Sequence, residues 1–275
     1  MKNKTNILIH SILIILIVLW LLPIYSSLIA AFKSIEEFGL TPFYSIPKKF
    51  ALYQNIGLVF SNYRLHVHIL SSAFYAVVGA TLAILFSSMA AYSLIRLKPR
   101  FSFFIFILIY SGTIFPFQMY LIPLHQMFNS LNIYNTKLGM ILIYTAITIP
   151  FSLFVYRGFF TTIPRSIEDA AVIDGCGPMM AFLKIFMPQA AAPTAVVALF
   201  QMSWIWNDLL FGLVLSRSEN VRPIMVGMAA MSGIGGGSRA LQMTGVLITS
   251  LPTILLFVVL KKYFISGMSS VASMK

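Results

Sequence analysis

Residues 7–32 read ILIHSILIILIVLWLLPIYSSLIAAF, a run that contains no aspartate, glutamate, lysine or arginine. About 20 apolar residues are enough for a helix to cross the hydrocarbon core of a bilayer. Lys2 and Lys4 precede the run and Ala30-Ala31 lies near its end, an arrangement that secretory signal peptides also have. The apolar part of a signal peptide has only about 7–15 residues, so the length of this run favours a retained membrane helix.

Five further apolar runs lie at positions 69–95, 103–122, 138–159, 190–213 and 241–264. Each is long enough to cross a bilayer, and a helix satisfies its own backbone hydrogen bonds in lipid. We therefore predict an all-α fold, a polytopic membrane protein with six transmembrane helices in a single transmembrane domain over residues 1–275. Prolines inside or beside the runs are expected to kink these helices rather than break them; they are Pro23, Pro116, Pro150 and Pro252.

The composition of the chain supports a membrane location. Apolar residues make up 59% and charged residues 9% of the 275 positions, against about 45–50% and about 25% in soluble domains. These values exclude a soluble enzyme, a disordered chain and a coiled coil. The single Cys176 excludes an internal disulfide and a multi-cysteine metal site.

The net charge of +12 comes from 19 basic residues that lie mainly at the edges of the apolar runs. Basic residues in that position set membrane topology, whereas a nucleic-acid surface needs a dense basic run. Tight clusters next to the ends of spans, at Lys98 and Arg100 and at Lys261-Lys262, predict that both termini are cytoplasmic. We expect no nucleic-acid partner, and we predict that the lipid bilayer surrounds the chain.

The loop at residues 163–188 is the longest one on the predicted cytoplasmic side and carries three of the seven acidic residues. Ser166 is predicted to cap a helix, with Asp169 three residues later, and Gly175 is predicted to end it. Pro178 can then begin a second helix. That helix has an apolar face formed by Met180, Leu183 and Phe186, with Phe182 and Met187 alongside.

Two interpretations of this helix–glycine–helix loop stay open from its pattern alone. It is either an amphipathic pair lying on the lipid surface or a docking element that fits a groove on a cytoplasmic partner. Glu168 and Asp169 also have a purely structural explanation, because acidic residues in the first turn of a helix favour its dipole.

The loop resembles the EAA motif of bacterial ABC importer permeases. Asp169-Ala170-Ala171, three residues, Gly175, nine residues and Ile185-Phe186-Met187-Pro188 match its spacing throughout. Asp169 stands where the motif has Glu, and Met187 stands where it has Leu. Trp206-Asn207-Asp208 and Lys262-Tyr263-Phe264 with Gly267 are similar to the shorter six-span subunit of the maltose/multiple-sugar type. The last residues, Val271 to Lys275, depart from the usual tail, which puts a tail contact with the ATPase in doubt.

The resemblance implies that this loop is the coupling helix, which sits in a cleft of a separate ATPase dimer and passes its ATP-driven closure to the membrane part. The implied docking residues are Glu168, Asp169, Ala170, Ala171, Asp174 and Gly175. The chain itself has no P-loop sequence, so we expect it to be a transport subunit and not an enzyme. It would bind no cofactor; ATP and Mg would lie on the ATPase. The other implied partners are a second permease in a heterodimer and an extracytoplasmic solute-binding protein.

A polar translocation pathway is predicted from side chains near the outer ends of the third and fifth spans. Aromatic faces stack on sugars, although aromatic residues are also common at membrane interfaces. Asp208 is a functional candidate because of its place near a span, and a hydrogen-bonded structural role remains open for it. The predicted pathway residues are Gln118, Tyr120, Gln201, Trp204, Asn207 and Asp208.

The resemblance implies that the glycine-rich loop before the last span contacts the binding protein, with a plain linker as the alternative. Its glycines follow no strand and precede no lysine, so it is not a phosphate-binding loop. The predicted contact residues are Ser232, Gly233, Gly235, Gly236 and Gly237. No metal site is expected, because His66 and His68 have no third ligand near them.

The sequence and its resemblance to this family together predict a permease subunit of an ABC importer in the bacterial cytoplasmic membrane. The resemblance implies a di- or oligosaccharide as substrate. Import of glycerol-3-phosphate or a polyol derivative by the same architecture is the near alternative. An ion-coupled secondary transporter is disfavoured because the midplane positions carry almost no charge. A membrane hydrolase would need a cluster of acid, base or nucleophile groups at the end of a span.

Overall fold

The computed structural model describes residues 2–231 and 238–272, with side chains for residues 6–231 and 238–261. In these parts of the chain the regular structure is entirely helical. The helices are α1 Lys2–Phe32, α2 Ile35–Leu40, α3 Leu52–Asn62, α4 Leu65–Tyr92, α5 Ser102–Ser111, α6 Leu121–Ser130, α7 Lys137–Thr162, α8 Arg165–Ile173, α9 Pro178–Ala181, α10 Met187–Gln189, α11 Ala191–Trp206, α12 Leu210–Leu215, α13 Ile224–Ala230 and α14 Arg239–Ala272. Two π-helical turns, Ser93–Leu97 and Phe182–Phe186, continue α4 and join α9 to α10, and a 3₁₀ turn, Phe117–Tyr120, precedes α6.

Four helical segments of the described chain are long and apolar enough to cross a membrane: Asn6–Phe32, Leu65–Leu97, Lys137–Thr162 and Arg239–Lys261. A fifth is formed if the pair Pro178–Gln189 and Ala191–Trp206, bent by 77°, counts as one span. The predicted helices at 7–32, 69–95, 138–159 and 241–264 are therefore observed as α1, α4, α7 and α14. The total of six crossings stays a prediction.

By contacts between Cα atoms, the described residues form two units, Met1–Val67 with Val226–Leu251 and His68–Met225 with Pro252–Lys275. In the first unit the side chain of Lys33, which follows α1, is completely buried. Its ammonium group donates hydrogen bonds to the Thr41 and Ser45 hydroxyls, at 2.9 and 2.7 Å, and to the Pro42 carbonyl. The ammonium group of Lys33 thus donates to three neutral oxygens, so all three of its donors are satisfied.

In the second unit, both α4 and α11 contact α7. The first half of α4 and Asn135, two residues before α7, both bond the segment 216–223. Arg96, after the other end of α4, bonds the end of α7. The helices α4 and α7 therefore run parallel. The chain between them has to return across the length of α7, which at 26 residues is about 39 Å.

The predicted third span lies in this returning segment, and here the structure differs from the prediction. Residues 103–122 do not form one helix: α5 ends at Ser111, and a 3₁₀ turn follows Pro116 before α6 begins. Proline has no backbone N–H, and it disfavours the α conformation of the residue before it. Pro116 therefore breaks the helix that it was expected to kink. By contrast, Pro23, Pro150 and Pro252 lie inside continuous helices, as expected.

The predicted fifth span, 190–213, is also interrupted. The helix α11 ends at Trp206, and α12 begins at Leu210 after a break at Asn207. Asp208 stabilises the new helix start, because its carboxylate accepts hydrogen bonds from the backbone N–H groups of Phe211 and Gly212 at 3.3 and 3.0 Å. An acidic residue that caps the first turn of a helix satisfies donors that would otherwise be left without a partner.

Two apolar clusters form the core of the second unit, one at each end of α7. The cluster at the end of α7 near Thr162 contains Tyr92, Phe106, Tyr156, Phe160, Phe182 and Phe186. The cluster near its beginning contains Tyr75, Phe128, Met140, Tyr144, Ile205 and Phe211.

Candidate functional site

The helix α8 carries the centre of the EAA-like motif. It begins at Arg165 with Pro164 as the N-cap, and no side chain caps it. The prediction that Ser166 is the N-cap is therefore wrong. The helix begins two residues earlier than predicted, which places Ser166 inside its first turn. Glu168 lies in that turn, as predicted.

The end of α8 follows the prediction closely. Gly175 has φ +76°, in the left-handed region that glycine adopts without a steric cost. Its N–H donates to the Val172 carbonyl at 3.0 Å, and the Cys176 N–H donates to the Ala171 carbonyl at 2.9 Å. These two bonds form a Schellman motif, which satisfies carbonyl groups at the end of a helix. Asp174 lies at the C-cap, and its side chain is exposed.

The second part of the loop begins with Pro178 at the first helical position, as predicted. Its apolar side chains divide into two sets, so the single apolar face that we predicted is not observed. Phe182 and Phe186 are buried in the core of the second unit, because the π-helical turn directs them inwards. The exposed large apolar side chains of the whole loop are Ile167, Val172, Ile173, Met179, Met180 and Leu183.

Arg96 joins this loop to the membrane helices. Its guanidinium group donates to the Phe160 and Ile163 carbonyls at the end of α7, at 2.7 and 2.6 Å. The same group lies 3.4 Å from the Glu168 carboxylate and 4.9 Å from the centre of the Phe186 ring. The Arg96 side chain is 4% exposed and that of Glu168 22%. One buried cation therefore connects the end of α4, the end of α7, the first turn of α8 and the π-helical turn Phe182–Phe186.

The six predicted docking residues consequently fall into two groups. Glu168 faces inwards to Arg96, and Ala171 lies on the buried side of α8. Asp169, Ala170, Asp174 and Gly175 are exposed. Within the described chain, neither the Asp169 nor the Asp174 carboxylate accepts a hydrogen bond from another residue.

Sequence reasoning counted Arg96 only as one of the basic residues that set topology, and it missed this structural role. Arg96 lies before Leu97 in the last turn of a long apolar helix. Lys98 and Arg100 lie beyond that turn and are exposed. The available signal was an arginine inside the end of an apolar helix, where burial of its charge requires a partner.

Of the predicted pathway residues, Gln201 and Asp208 are buried among helices of the second unit. Gln201 donates from its amide to the Thr148 carbonyl and the Ser152 hydroxyl, at 3.3 and 3.2 Å. The Asp208 carboxylate also accepts a hydrogen bond from the hydroxyl of the buried Tyr144, at 2.9 Å. Hydrogen bonding within the chain therefore accounts for both side chains.

Tyr120 and Trp204 lie in an aromatic cluster with Phe117 and Phe211. The Phe211 ring is stacked on Tyr120 at 6.3 Å, and Phe117 meets Trp204 edge to face at 5.8 Å. Gln118 and Asn207 are exposed. The structure thus brings the two aromatic residues together and keeps the two exposed amides out of that cluster.

The predicted binding-protein contacts Ser232, Gly233, Gly235, Gly236 and Gly237 lie outside the described residues, and so do the last three residues of the chain. Over the described residues, no group of three or more metal-binding side chains is present.

Comparison with known proteins gives a consistent family. Residues 83–269 match the family described as the inner membrane component of binding-protein-dependent transport systems. The probable ABC transporter permease protein PH1216 of Pyrococcus horikoshii is 40% identical over 163 residues, which are 59% of this chain and 59% of that protein. The melibiose/raffinose/stachyose import permease protein MelC of Bacillus subtilis is 35% identical over 193 residues, or 70% of each chain.

A solved structure gives the same result for the fold. One chain of a bacterial ABC transporter involved in the import of the acidic polysaccharide alginate superimposes with a TM-score of 0.83. The match covers 95% of this chain and 97% of that chain, at 20% sequence identity.

The family match covers more than half of the sequence, so this chain belongs to the inner membrane components of binding-protein-dependent transport systems. It is a multi-pass membrane protein and a transport subunit, not an enzyme. The predicted all-α membrane fold is confirmed.

Proposed function

We propose that this chain is the permease subunit of an ABC importer that moves a di- or oligosaccharide into the cell. A separate ATPase dimer, which binds ATP and Mg, docks on the coupling segment, which we define as residues 163–188. A second permease completes the pathway as a heterodimer, and an extracytoplasmic binding protein delivers the sugar. Both termini and the coupling segment face the cytoplasm of a bacterial cell, and the chain lies in its cytoplasmic (inner) membrane.

The observation that carries this proposal is the surface of α8. Asp169 and Asp174 present carboxylates that have no partner in the described chain, and between them Ile173 is 85% exposed. Exposed apolar side chains next to unpaired charges are typical of a surface that a partner protein covers. Basic residues in a cleft of the ATPase would pair with the two carboxylates.

The charge of α8 also argues against the alternative that the segment lies on lipid. Helices that bind a membrane surface carry mainly lysine and arginine on their polar face, because the lipid headgroups are anionic. This helix and its cap carry Glu168, Asp169 and Asp174 against a single Arg165. An acidic surface of this kind favours a basic protein partner.

The geometry gives a physical route for the motion of the ATPase. A displacement of α8 acts on Arg96 through Glu168, and Arg96 holds the last carbonyls of α7. The same displacement acts through Phe186, which packs against Phe160 and Tyr92 with ring centres 5.6 and 4.9 Å apart. Because packed cores move as rigid bodies and do not deform continuously, α4 and α7 would move together with the docked segment.

The substrate class rests on similarity. The relative MelC is named for import of melibiose, raffinose and stachyose and aligns with 70% of this chain, which favours a sugar over glycerol-3-phosphate or a polyol derivative. The pathway residues Tyr120 and Trp204 are partly exposed aromatic side chains of the kind that stack on sugar rings. Gln118, Gln201, Asn207 and Asp208 remain proposed pathway residues only because they are close to Tyr120 or Trp204 in the sequence. The glycine-rich loop that starts at Ser232 remains the proposed contact with the binding protein.

Charge reversal of the two carboxylates tests the docking proposal. Asp174→Lys should preserve α8, because a cation at the C-terminus of a helix favours the dipole. We expect Asp169→Lys and Asp174→Lys each to weaken co-purification of the ATPase by at least about tenfold and to reduce sugar uptake, because like charges then meet in the cleft. The exposed acidic residue Glu36, which lies outside the segment, provides the matched control Glu36→Lys. Normal ATPase recovery with both variants in the segment would contradict the proposal.

Labelling of Cys176, the one cysteine of the chain, tests the orientation without the introduction of a new cysteine. It lies in the coupling segment and is partly exposed. A membrane-impermeant maleimide should label it in inside-out vesicles and not in intact cells, and Cys176→Ser should abolish the labelling. Labelling from outside intact cells would reverse the proposed topology.

A further inference from the structure

A cavity of about 310 Å³ lies next to the turn between α4 and α5, close to the end of α7. Its lining residues are Leu94, Ile95, Lys98, Ser102, Phe103 and Arg157. The volume is at the lower end of the range of about 300–1,000 Å³ that ligand sites have. Two basic side chains from different helices face this space, and no acidic residue lines it.

Arg157 has no acceptor within the described chain. Its only recorded partner there is the Phe106 ring, whose centre is 4.3 Å from the guanidinium carbon. That contact uses the face of the guanidinium group and leaves its five N–H donors free. Arg157 lies five residues before the end of α7 at Thr162, about 8 Å along the helix from its terminus. A positive charge close to the end of an apolar helix is stabilised by an anionic acceptor.

The start of α5 adds further free donors to the same cavity. Phe101 has φ +67° and does not cap the helix with its side chain. The N–H groups of Phe103 and Phe104 donate to no other residue in the described chain, and neither does the Ser102 hydroxyl. The positive end of this ten-residue helix therefore points to the same cavity as Arg157 and Lys98.

We propose that this cavity, which Lys98, Ser102 and Arg157 surround, binds the phosphate group of an anionic phospholipid from the bilayer. The guanidinium group and the helix start recognise the phosphate oxygens, and Lys98 contributes a second positive charge. The cavity also has an apolar lining, and its exposed member Phe103 would face the acyl chains. Apolar walls next to the donors favour a lipid headgroup over a free phosphate ion. The bound lipid would stabilise the turn between α4 and α5, next to Arg96.

Native mass spectrometry of the full chain in detergent tests this proposal, with phosphatidylglycerol, phosphatidylcholine and sodium phosphate as separate probes. We expect phosphatidylglycerol to bind more tightly than phosphatidylcholine and sodium phosphate not to displace it. Arg157→Gln and Lys98→Gln should each weaken phosphatidylglycerol binding about fivefold, the usual effect of one basic residue near an anionic surface. Arg165→Gln removes an equal charge from an exposed position outside the cavity and should leave binding unchanged.

Two features of this design keep the result clear. Lys98 is exposed, so Lys98→Gln should fold even if Arg157→Gln does not, and Arg157→Lys keeps the charge but loses the planar fork. Equal binding of the two lipids, or an equal loss with Arg165→Gln, would overturn the proposal. Displacement of phosphatidylglycerol by sodium phosphate would overturn the lipid assignment and leave a free-anion site.

Discussion

The two ends of α7 are held by different chemistry. At the end near Thr162, a single charged group, Arg96, connects four structural segments and pairs with Glu168. At the opposite end, neutral groups hold the segment 216–223. Tyr75 and Ser71 donate to the Val221 and Asn220 carbonyls at 2.8 and 3.0 Å, and the Ser72 hydroxyl accepts from the Ile224 N–H at 2.7 Å.

Asn135 completes this neutral end. Its side-chain oxygen accepts from the Arg217 and Ser218 N–H groups, both at 2.8 Å, and its amide donates to the Ser218 hydroxyl at 2.6 Å. Neutral side chains thus bond several backbone groups of the segment 216–223, while the Arg217 and Arg222 guanidinium groups have no acceptor in the described chain. The coupling end is held by one internal ion pair and still presents two carboxylates without partners. The comparison indicates that a buried ion pair fixes the coupling end, whereas neutral side chains fix the backbone of the opposite end.

Removal of Arg96 should have the largest effect. Arg96→Gln leaves Glu168 without its cation and two carbonyls of α7 without their donor. Loss of one member of a buried pair destabilises by about 3 kcal/mol, because the other charge remains desolvated. We expect a lower melting temperature of the purified chain in detergent and a loss of transport even where the ATPase still binds.

The variant Arg100→Gln is the matched control, because Arg100 is exposed and contacts only the adjacent Phe101 ring in the described chain. A double change, Arg96→Gln with Glu168→Gln, should recover part of the lost stability, since it removes the unpaired charge. If Arg96→Gln melts like the control, the ion pair does not organise the coupling end and the contrast between the two ends fails.

The neutral end should depend on Asn135 by a smaller amount. Asn135→Ala removes three hydrogen bonds, which together contribute about 2 kcal/mol to the free energy of unfolding. Asn135 also has a left-handed backbone, with φ 54°, and Asn132 has nearly the same value, φ 56°, without a side-chain hydrogen bond in the described chain. Asn132→Ala therefore measures the backbone cost alone.

The difference between the melting temperatures of these two variants isolates the contribution of the Asn135 side chain. Sugar uptake and ATPase binding should both persist in Asn135→Ala, because the coupling end is intact. Equal melting temperatures for Asn135→Ala and Asn132→Ala would mean that these hydrogen bonds contribute nothing measurable.

Sequence reasoning found the coupling end more readily than the membrane part. The spacing from Asp169 through Gly175 to Pro188 depends on local backbone geometry, so the sequence carries it directly. The break at Pro116 was missed because proline is tolerated within a membrane helix when neighbouring groups satisfy the freed carbonyls, as it is at Pro150. Whether such neighbours exist is a property of the packing, and a single sequence does not contain it.

The buried role of Arg96 was missed for the same reason. Sequence position places Arg96, Lys98 and Arg100 together at the end of a span, and the rule for topology treats them alike. Only the packing of α7 and α8 makes one of them a buried structural group and leaves the other two exposed. Asp208 is a parallel case at the other end, because its contact with Tyr144 is a property of the packing that the sequence did not show.

The smallest expected effect concerns the glycine that ends α8, and it tests whether the shape of the coupling segment matters separately from its charge. A Cβ atom added at Gly175 would meet no atom within 4 Å, so the cost of Gly175→Ala comes from its φ of +76° alone. A left-handed conformation costs a residue with a side chain about 1 kcal/mol. Gly177 also has open space around its Cβ position, but its backbone is extended, with φ −70° and ψ 164°, which alanine adopts without strain.

Gly175→Ala should therefore melt at a lower temperature than Gly177→Ala, although both add the same atom to the same turn. The Schellman bonds at Gly175 and Cys176 fix the direction in which the chain leaves α8, so strain there should also weaken ATPase co-purification. Arg96 and Glu168 hold the beginning of α8 and not its end, so they cannot compensate for this change. If both variants bind the ATPase and melt alike, the exposed carboxylates alone make the docking surface, and the backbone turn is only a connection.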